Sequence, residues 1–335
     1  MVIFYYLSAL MDIILTDGLC YCFIYIKCLY LYKYFLLGGI MEFREITIKD
    51  REWMSGKFRE DNKKACEFSF ASNFLWKKIY PLRAAVAYGC VILKFVYEDD
   101  ITYAFPIGNG DKRKALEKIL LHEQVNGNRV KISGIVEEEK EMVNSWYPGH
   151  FILKTNRDNS DYIYRTQDLS SLSGKKYHGK RNHIARFKDG NNWSYEKITK
   201  ENTAECIQMN HIWKKKRVDK WDEMMQEEYD VVKEALLYFE ELGLRGGLLR
   251  KNGEVVAFTL GEPLSDDTFV VHFEKAFPEV QGAYPMINQQ FVLAECQDYE
   301  YVNREEDTGD EGLRKAKLSY HPVMLLDKYT ALQKG

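Results

Sequence analysis

The sequence predicts an α/β (α+β) protein made of two successive modules. Helical and strand patterns alternate from Met41 onward, and their order repeats in outline in the second half of the chain. A polar joint containing three serines separates the two runs between Arg165 and Gly174. At 335 residues, the chain is long enough for two hydrophobic cores. We therefore expect an N-terminal domain over residues 41–168 and a C-terminal domain over residues 169–335.

The first module begins with an alternating strand at Phe43–Ile48, followed by helical sequence to about Tyr80. Asp111 opens an amphipathic helix that runs through His122 and turns Leu116, Ile119 and Leu120 inward. The other elements predicted here are strands at Ala84–Phe95, Ile101–Ile107 and Arg129–Ile135, a helix at Glu137–Trp146 and extended sequence from Phe151 to Arg165.

The second module begins with extended sequence at Trp193–Lys197 and helical sequence over Asn202–Gly243. Its remaining predicted elements are strands at Gly247–Arg250, Val255–Gly261 and Thr268–Lys275, a helix at Pro285–Gln297, a strand at Tyr299–Asn303 and a helix at Glu311–Tyr320. No stretch repeats letter for letter, so the order of the elements is the only indication of a duplication.

Residues 1–40 differ from the rest, because 31 of them are apolar and only four are charged. One interpretation is a membrane-associating segment, although Lys27 interrupts the best apolar window. The other is an upstream extension, with native translation starting at Met41. Mass analysis of the native N-terminus would distinguish them.

The net charge and the cysteine content indicate which kinds of partner and site to expect. A formal net charge of −3 argues against general nucleic-acid coating but allows a local basic patch. The four cysteines after Met41 show no metal-ligand spacing, so we expect buried, reduced thiols and no metal site. The expected location is cytoplasmic, with a membrane-peripheral position as the alternative.

The segment from Thr268 to Pro285 predicts a strand, a turn containing Gly282 and then a helix. Backbone N–H groups at the start of such a helix can bind a phosphate or carboxylate. The turn is similar to the cofactor loop of the GNAT superfamily, with one glycine where that pattern has two or three. An ordinary strand–helix turn is the alternative.

Two further segments carry candidate anion-binding cations. Helical spacing places Lys317 on an apolar stripe with Leu313 and Tyr320, where a lysine either extends to solvent or meets an anion. In the basic segment Gly174–Lys188, the same reasoning turns Arg181 inward. A solvated basic face is the alternative for that segment.

Together, Gly174–Phe187, Phe273–Phe291 and Tyr301–Tyr329 resemble stand-alone relatives of the C-terminal domain of phosphatidylglycerol lysyltransferase. The resemblance implies tandem GNAT-like acyltransferase domains, each a mixed central sheet flanked by helices. It matches Arg181 and Asn182 to the family's basic helix, and Lys317 and Pro322 to its closing motif.

The resemblance also implies transfer of an aminoacyl group from aminoacyl-tRNA to an alcohol or amine. The sequence shows no multi-span region like that of the membrane-bound members, so the acceptor is left open between a lipid and a small molecule. No cofactor is required, and the acceptor end of tRNA is the expected partner. The alternatives are an acyl-CoA-dependent N-acyltransferase and a non-catalytic module that binds an anionic metabolite.

The candidate residues follow from these segments. Glu274 or Asp307 is the expected base, and Arg181 and Lys317 are expected to contact phosphate or the oxyanion. The full candidate set is Glu274, Asp307 and Lys317 as catalytic residues, and Lys176, Arg181, Asn182, Gln281, Gly282, Tyr284, Asn288, Asn303 and Lys315 as substrate- or phosphate-binding residues.

Overall fold

The computed structural model describes residues 41–97, 100–189, 192–216 and 222–335. These residues form two seven-stranded sheets with helices packed against them. Each sheet combines antiparallel pairs with a parallel pair, so the prediction of an α/β (α+β) fold with mixed central sheets is confirmed. The two interpretations of residues 1–40 lie outside the described residues.

The first sheet contains β1 (Arg44–Glu45), β2 (Leu82–Ala87), β3 (Cys90–Tyr97), β4 (Asp100–Ala104), β5 (Lys131–Ile135), β6 (Phe151–Thr155) and β14 (Tyr329–Gln333). Its spatial order is β1-β2-β3-β4-β5-β14-β6. The helices of this half are α1 (Arg51–Asp61), α2 (Phe70–Trp76), α3 (Lys112–Val125) and α4 (Glu137–Trp146).

The second sheet contains β7 (Asp161–Arg165), β8 (Trp193–Lys197), β9 (Arg245–Lys251), β10 (Glu254–Pro263), β11 (Thr268–Ala276), β12 (Tyr301–Asn303) and β13 (Met324–Leu326). Its spatial order is β13-β7-β12-β11-β10-β9-β8. The helices of this half are α5 (Thr166–Ser171), α6 (His178–Lys188), α7 (Thr203–Lys215), α8 (Glu223–Leu237), α9 (Ala283–Glu295) and α10 (Glu311–Leu318).

Local sequence explains most of these boundaries. The Asp111 side chain accepts a hydrogen bond from the Lys114 N–H and caps α3, whose Leu116 and Ile119 are buried as predicted. The predicted strand Ala84–Phe95 is instead a hairpin of β2 and β3. Tyr88 and Gly89 both adopt positive φ between these strands, as a tight hairpin turn requires.

The two sheets exchange strands across the predicted domain boundary. Strand β7 lies before residue 168 but pairs with β12 and β13 in the second sheet. Strand β14 is the last in the chain but pairs with β5 and β6 in the first sheet. Sheet membership therefore does not follow the division at residue 168, which stays a prediction about folding units.

The position of the candidate site depends on the parallel pair in the second sheet. Strands β11 and β12 are parallel, and α9 connects them and packs against β9, β10 and β11. The core beneath α9 continues into the first half, because Met54 and Phe74 belong to the same buried cluster as Phe258 and Phe291. No helix in the described residues is long and apolar enough to cross a bilayer.

Candidate functional site

The candidate site is built around Glu274 on β11. One carboxylate oxygen of Glu274 accepts a hydrogen bond from Arg304 Nη2 at 3.0 Å, and the other accepts one from Asn288 Nδ2 at 3.0 Å. Glu274 and Asn288, both predicted from the sequence, are thus brought together. The three side chains therefore come from β11, from the residue directly after β12 and from α9.

Lys180 on α6 adds a second cation to this cluster. Its Nζ lies 3.8 Å from the centroid of the Tyr320 ring and has no hydrogen bond or ion pair with any described residue. The Arg304 guanidinium lies over the same ring, at 4.8 Å. Burial and the charge of Arg304 lower the pKa of Lys180 to about 8, although Glu274 acts in the opposite direction.

Three polar atoms in this region are buried without a hydrogen-bond partner in the described part of the chain. They are Asn288 Oδ1, Arg304 Nη1 and Thr259 Oγ1. Thr259 lies directly opposite Glu274 across β10 and β11, so the two side chains point to the same face of the sheet. Leaving a buried polar group unpaired costs about 1–3 kcal/mol. Such atoms therefore indicate the place where a polar ligand or water would bind.

The predicted Gly282 turn lies at the start of α9, and Gly282 has a φ of 80°. A Cβ at this position would lie 2.1 Å from the carbonyl oxygen of His183 on α6. Glycine is therefore required for the close packing of α6 against the turn. Gln281 is exposed and Tyr284 is half-buried in the same turn.

The expectation that Arg181 and Lys317 face one anion pocket needs correction. Arg181 donates hydrogen bonds to the carbonyl oxygens of Leu172 and Gly174, which follow α5. Lys317 is buried, and its Nζ donates to three consecutive carbonyl oxygens over 304–306. Both cations thus satisfy main-chain carbonyl groups, and Lys317 positions Arg304 through its backbone.

The helical face of α6 explains why the sequence pointed to the wrong cation. The buried side chains of this segment are Tyr177, Ile184 and Phe187, and Lys180 shares their stripe. The sequence-based prediction turned Arg181 inward and did not consider Phe187. Including Phe187 would have identified Lys180.

Asp307 does not have the environment of a general base. It is fully buried and receives hydrogen bonds from the Tyr162 hydroxyl at 2.5 Å and from Arg314 Nε at 2.9 Å. These contacts hold the pKa of Asp307 well below its usual range, with Arg314 as the largest contribution. The residue is structural in this arrangement.

The other predicted binding residues lie outside the Glu274 cluster. Asn303 donates to the Lys64 carbonyl oxygen at 2.6 Å and to Asp161 Oδ2 at 2.8 Å, and thereby joins the two halves. Lys176 pairs with Asp168, while Asn182 and Lys315 are exposed.

A separate buried ionic cluster lies between the two halves of the molecule. Cys66, Glu67 and Asp161 present three potential metal-ligand atoms within 4.8 Å of one another. The ammonium group of Lys328 lies 2.7 Å from Glu67 and 2.9 Å from Asp161. The lysine thus supplies the positive charge that these groups need, and the cluster acts as an ion-paired joint.

Comparison with known proteins agrees with this architecture. A family model described as phosphatidylglycerol lysyltransferase, C-terminal, matches residues 58–332. The crystal structure of a conserved protein of unknown function from Bacteroides thetaiotaomicron is 37% identical, with a TM-score of 0.85, and the match covers 88% of this chain and 100% of that one.

More distant structures share the fold. The C-terminal domain of a putative lysylphosphatidylglycerol synthetase from Agrobacterium fabrum is 13% identical, with a TM-score of 0.62 and coverage of 86% of this chain and 93% of that one. FemX is 9% identical, with a TM-score of 0.57 and coverage of 87% and 97%, respectively.

A curated relative, an uncharacterized protein from Mycoplasmoides gallisepticum, is 21% identical over 212 residues, which are 61% of this chain. The chain spans 65% of that relative's length. The fold is that of tandem GNAT-like domains. Because the family model matches most of its length, the chain belongs to the phosphatidylglycerol lysyltransferase C-terminal domain family.

Proposed function

We propose that this protein transfers an aminoacyl group from aminoacyl-tRNA to an alcohol or amine acceptor at the Glu274 cluster. The observation that carries the proposal is that the cluster contains two buried atoms without a hydrogen-bond partner among the described residues, one an acceptor and the other a donor. Asn288 Oδ1 lacks a donor and Arg304 Nη1 lacks an acceptor, and both side chains are held by the same carboxylate.

A ligand that satisfies both atoms must offer a hydrogen-bond donor and an acceptor a short distance apart. An α-aminoacyl ester does so, because its ammonium group donates and its carbonyl oxygen accepts. A simple acyl thioester offers only the carbonyl oxygen and would leave Asn288 Oδ1 unpaired. This difference favours an aminoacyl donor over acyl-CoA.

The reaction needs no covalent enzyme intermediate, because the donor ester is already activated. The acceptor oxygen or nitrogen attacks the ester carbonyl carbon, and its proton passes to Lys180, whose pKa of about 8 makes the neutral amine accessible near neutral pH. Arg304 Nη1 donates to the carbonyl oxygen as negative charge develops on it. The ester bond to the tRNA oxygen then breaks, and that oxygen takes the proton from Lys180.

The exposed cations of α6 and the turn before it support a tRNA partner. Lys175, Arg186 and Lys188 are exposed, and the same segment carries Lys180 into the site. Phosphate contacts of this kind are weakened strongly by salt. The acceptor in this proposal is a lipid or a small molecule.

The test uses the full chain, radiolabelled aminoacyl-tRNA pools and two acceptor sets: phosphatidylglycerol vesicles, and small alcohols and amines. We expect acceptor-dependent deacylation that Lys180→Met and Arg304→Gln abolish. Lys200→Met is the matched control, because Lys200 is 76% exposed and makes only a 3.9 Å ion pair. If no aminoacyl-tRNA binds at low salt, the proposal is wrong.

Coenzyme A provides the second arm of the same test. Thermal stabilisation by acetyl-CoA, together with acyl transfer from it, would support the alternative donor at the Gly282 turn. Binding of either donor without turnover under any acceptor condition would identify a binding module instead.

A further inference from the structure

A polar cleft lies at the opposite end of α9 from the Gly282 turn. Its volume is about 560 Å³, within the usual range for small-molecule sites. It is formed by the end of β8, the start of β9, the end of α9 and the residues that follow it, with Lys197, Arg245, Glu295 and Asp298 as its charged lining. Glu295 is seven residues beyond Asn288 on α9, which separates the cleft from the Glu274 cluster by about 10 Å along the helix axis.

Glu295 is the buried group of this cleft. Its side chain is only 7% exposed, and its Oε1 atom makes no hydrogen bond of acceptable geometry with the described residues. Its counter-ion is Lys197, with Nζ 2.8 Å from the same oxygen. The Lys197 side chain is 66% exposed, so this ammonium reaches the buried carboxylate from solvent. Because the lysine is exposed, its ammonium group can leave the carboxylate and be solvated by water.

The surroundings favour a positive charge at this position. Glu295 ends α9, and the carbonyl groups of a last helical turn attract cations. Another polar atom nearby is also unpaired, since the Tyr195 hydroxyl has no hydrogen-bond partner among the described residues. Burial, with the Glu295 carboxylate, raises the pKa of that hydroxyl, which places the two groups within electrostatic reach.

The lining of the cleft also contains a cationic group, Arg245. Arg245 makes one long hydrogen bond, from Nη1 to the Glu295 carbonyl oxygen at 3.4 Å, and its guanidinium lies 6.0 Å from the Phe269 ring centroid. No ion pair of Arg245 is found in the described chain. A guanidinium group without an ion pair can bind a carboxylate through two parallel hydrogen bonds.

We propose that this cleft binds a small zwitterion, with its ammonium group on Glu295 in place of Lys197 and its carboxylate on Arg245. The ligand class is an amino acid or an amino-acid-sized ω-amino acid. Lys197 occupies the position of the ligand's ammonium group and competes with it. This site does not depend on the proposed aminoacyl transfer, because it uses none of the residues of the Glu274 cluster.

The competing role of Lys197 separates this proposal from an ordinary surface ion pair. If the pair is only structural, removing Lys197 lowers stability slightly and creates no binding. If Lys197 competes with a ligand, its removal exposes an unpaired buried carboxylate and strengthens ligand binding. An increase in affinity is therefore the distinguishing result.

The experiment measures binding to the full chain by isothermal titration calorimetry with the ω-amino acids from glycine to 6-aminohexanoate. Hexylamine and hexanoate serve as analogues of the longest member that lack one charge each. We expect at least one ω-amino acid to bind, with Lys197→Ala tightening it about threefold or more and Glu295→Gln weakening it by about tenfold or more. Lys200→Ala should leave the affinity unchanged.

Three outcomes would overturn the proposal. The first is that no ω-amino acid binds either the wild type or Lys197→Ala at millimolar concentration. The second is that Lys197→Ala weakens binding. The third is that Lys180→Met, in the Glu274 cluster, abolishes the heat while Glu295→Gln does not. If Glu295→Gln fails to fold, the comparison of wild type with Lys197→Ala still decides the matter.

Discussion

Replacing Lys180 with methionine should make the protein more stable while it abolishes transfer. Burial beside Arg304 lowers the pKa of Lys180 from 10.5 to about 8, so the folded state holds its ammonium group at a cost. At 1.4 kcal/mol per pKa unit, the difference corresponds to about 3 kcal/mol at neutral pH. Partial solvent screening and loss of the ring contact to Tyr320 reduce the expected gain to about 1–2 kcal/mol.

The pH dependence follows from the direction of this pKa change. Because the folded-state pKa is the lower one, the cost is complete below about pH 8. It disappears as pH rises towards 10.5, where both folded and unfolded chains carry a neutral amine. The stabilisation by Lys180→Met should therefore be largest near pH 7 and small near pH 10. Urea denaturation at the two pH values measures it.

Lys317→Met is the matched comparison, because burial also lowers the pKa of Lys317. Its ammonium group donates to three carbonyl oxygens, and methionine would leave those acceptors without a donor. We expect a loss of about 3–5 kcal/mol, opposite in sign to the effect at Lys180. If both substitutions destabilise the protein to a similar extent, Lys180 is a structural cation and the proposed chemistry loses its base.

Three other predictions concern the elements that hold the site. Gly282→Ala should lower the free energy of unfolding by about 2–4 kcal/mol in urea denaturation, because the strain of the positive φ and the close contact with the His183 carbonyl oxygen both contribute. Gly127→Ala is the control and should cost at least about 1 kcal/mol less, because Gly127 has a positive φ but open space around it. Asp307→Asn should destabilise the protein by about 3 kcal/mol at pH 7. Because the folded-state pKa of Asp307 is the lower one, the difference from wild type should begin to shrink as pH falls below about 4 and should disappear only when the folded Asp307 itself is protonated, as urea denaturation at several pH values would show. Lys328→Met should cost about 3–5 kcal/mol at pH 7.5 and less at pH 5.5 in thermal melts, because Glu67, with its pKa raised to about 7 by burial, would then be protonated.

Sequence periodicity was sufficient to predict the elements whose pattern is local. The helix Glu137–Trp146 and the strand Trp193–Lys197 have the predicted bounds, because each combines a clear period with a clear end. Strands β13 and β14 were missed, since they are short and follow a proline-containing turn. Their pairing with β7, β5 and β6 depends on contacts distant in sequence, which no local pattern contains.

The site was only partly predictable for a similar reason. Glu274 and Asn288 were found because each lies in an element that flanks the predicted Gly282 turn, the strand before it and the helix after it. Arg304 lies among five consecutive polar residues, 303–307, and the sequence does not show which of them faces the site. Only the structure separates Arg304, which meets Glu274, from its neighbours, which bind other partners.

That segment, 303–307, connects the candidate site to the joint between the two halves. Asn303 binds the backbone of Lys64, and Glu306 lies 3.3 Å from Lys328. The intervening Arg304 is therefore positioned by contacts on both sides of the joint, with Lys317 holding its carbonyl group. Because rigid placement of the charged donor determines how well it meets a developing oxyanion, a substitution at the joint should lower transfer even where the Glu274 cluster is unchanged. The exchange of β7 and β14 strengthens this argument, since each sheet includes a strand from the other half of the chain.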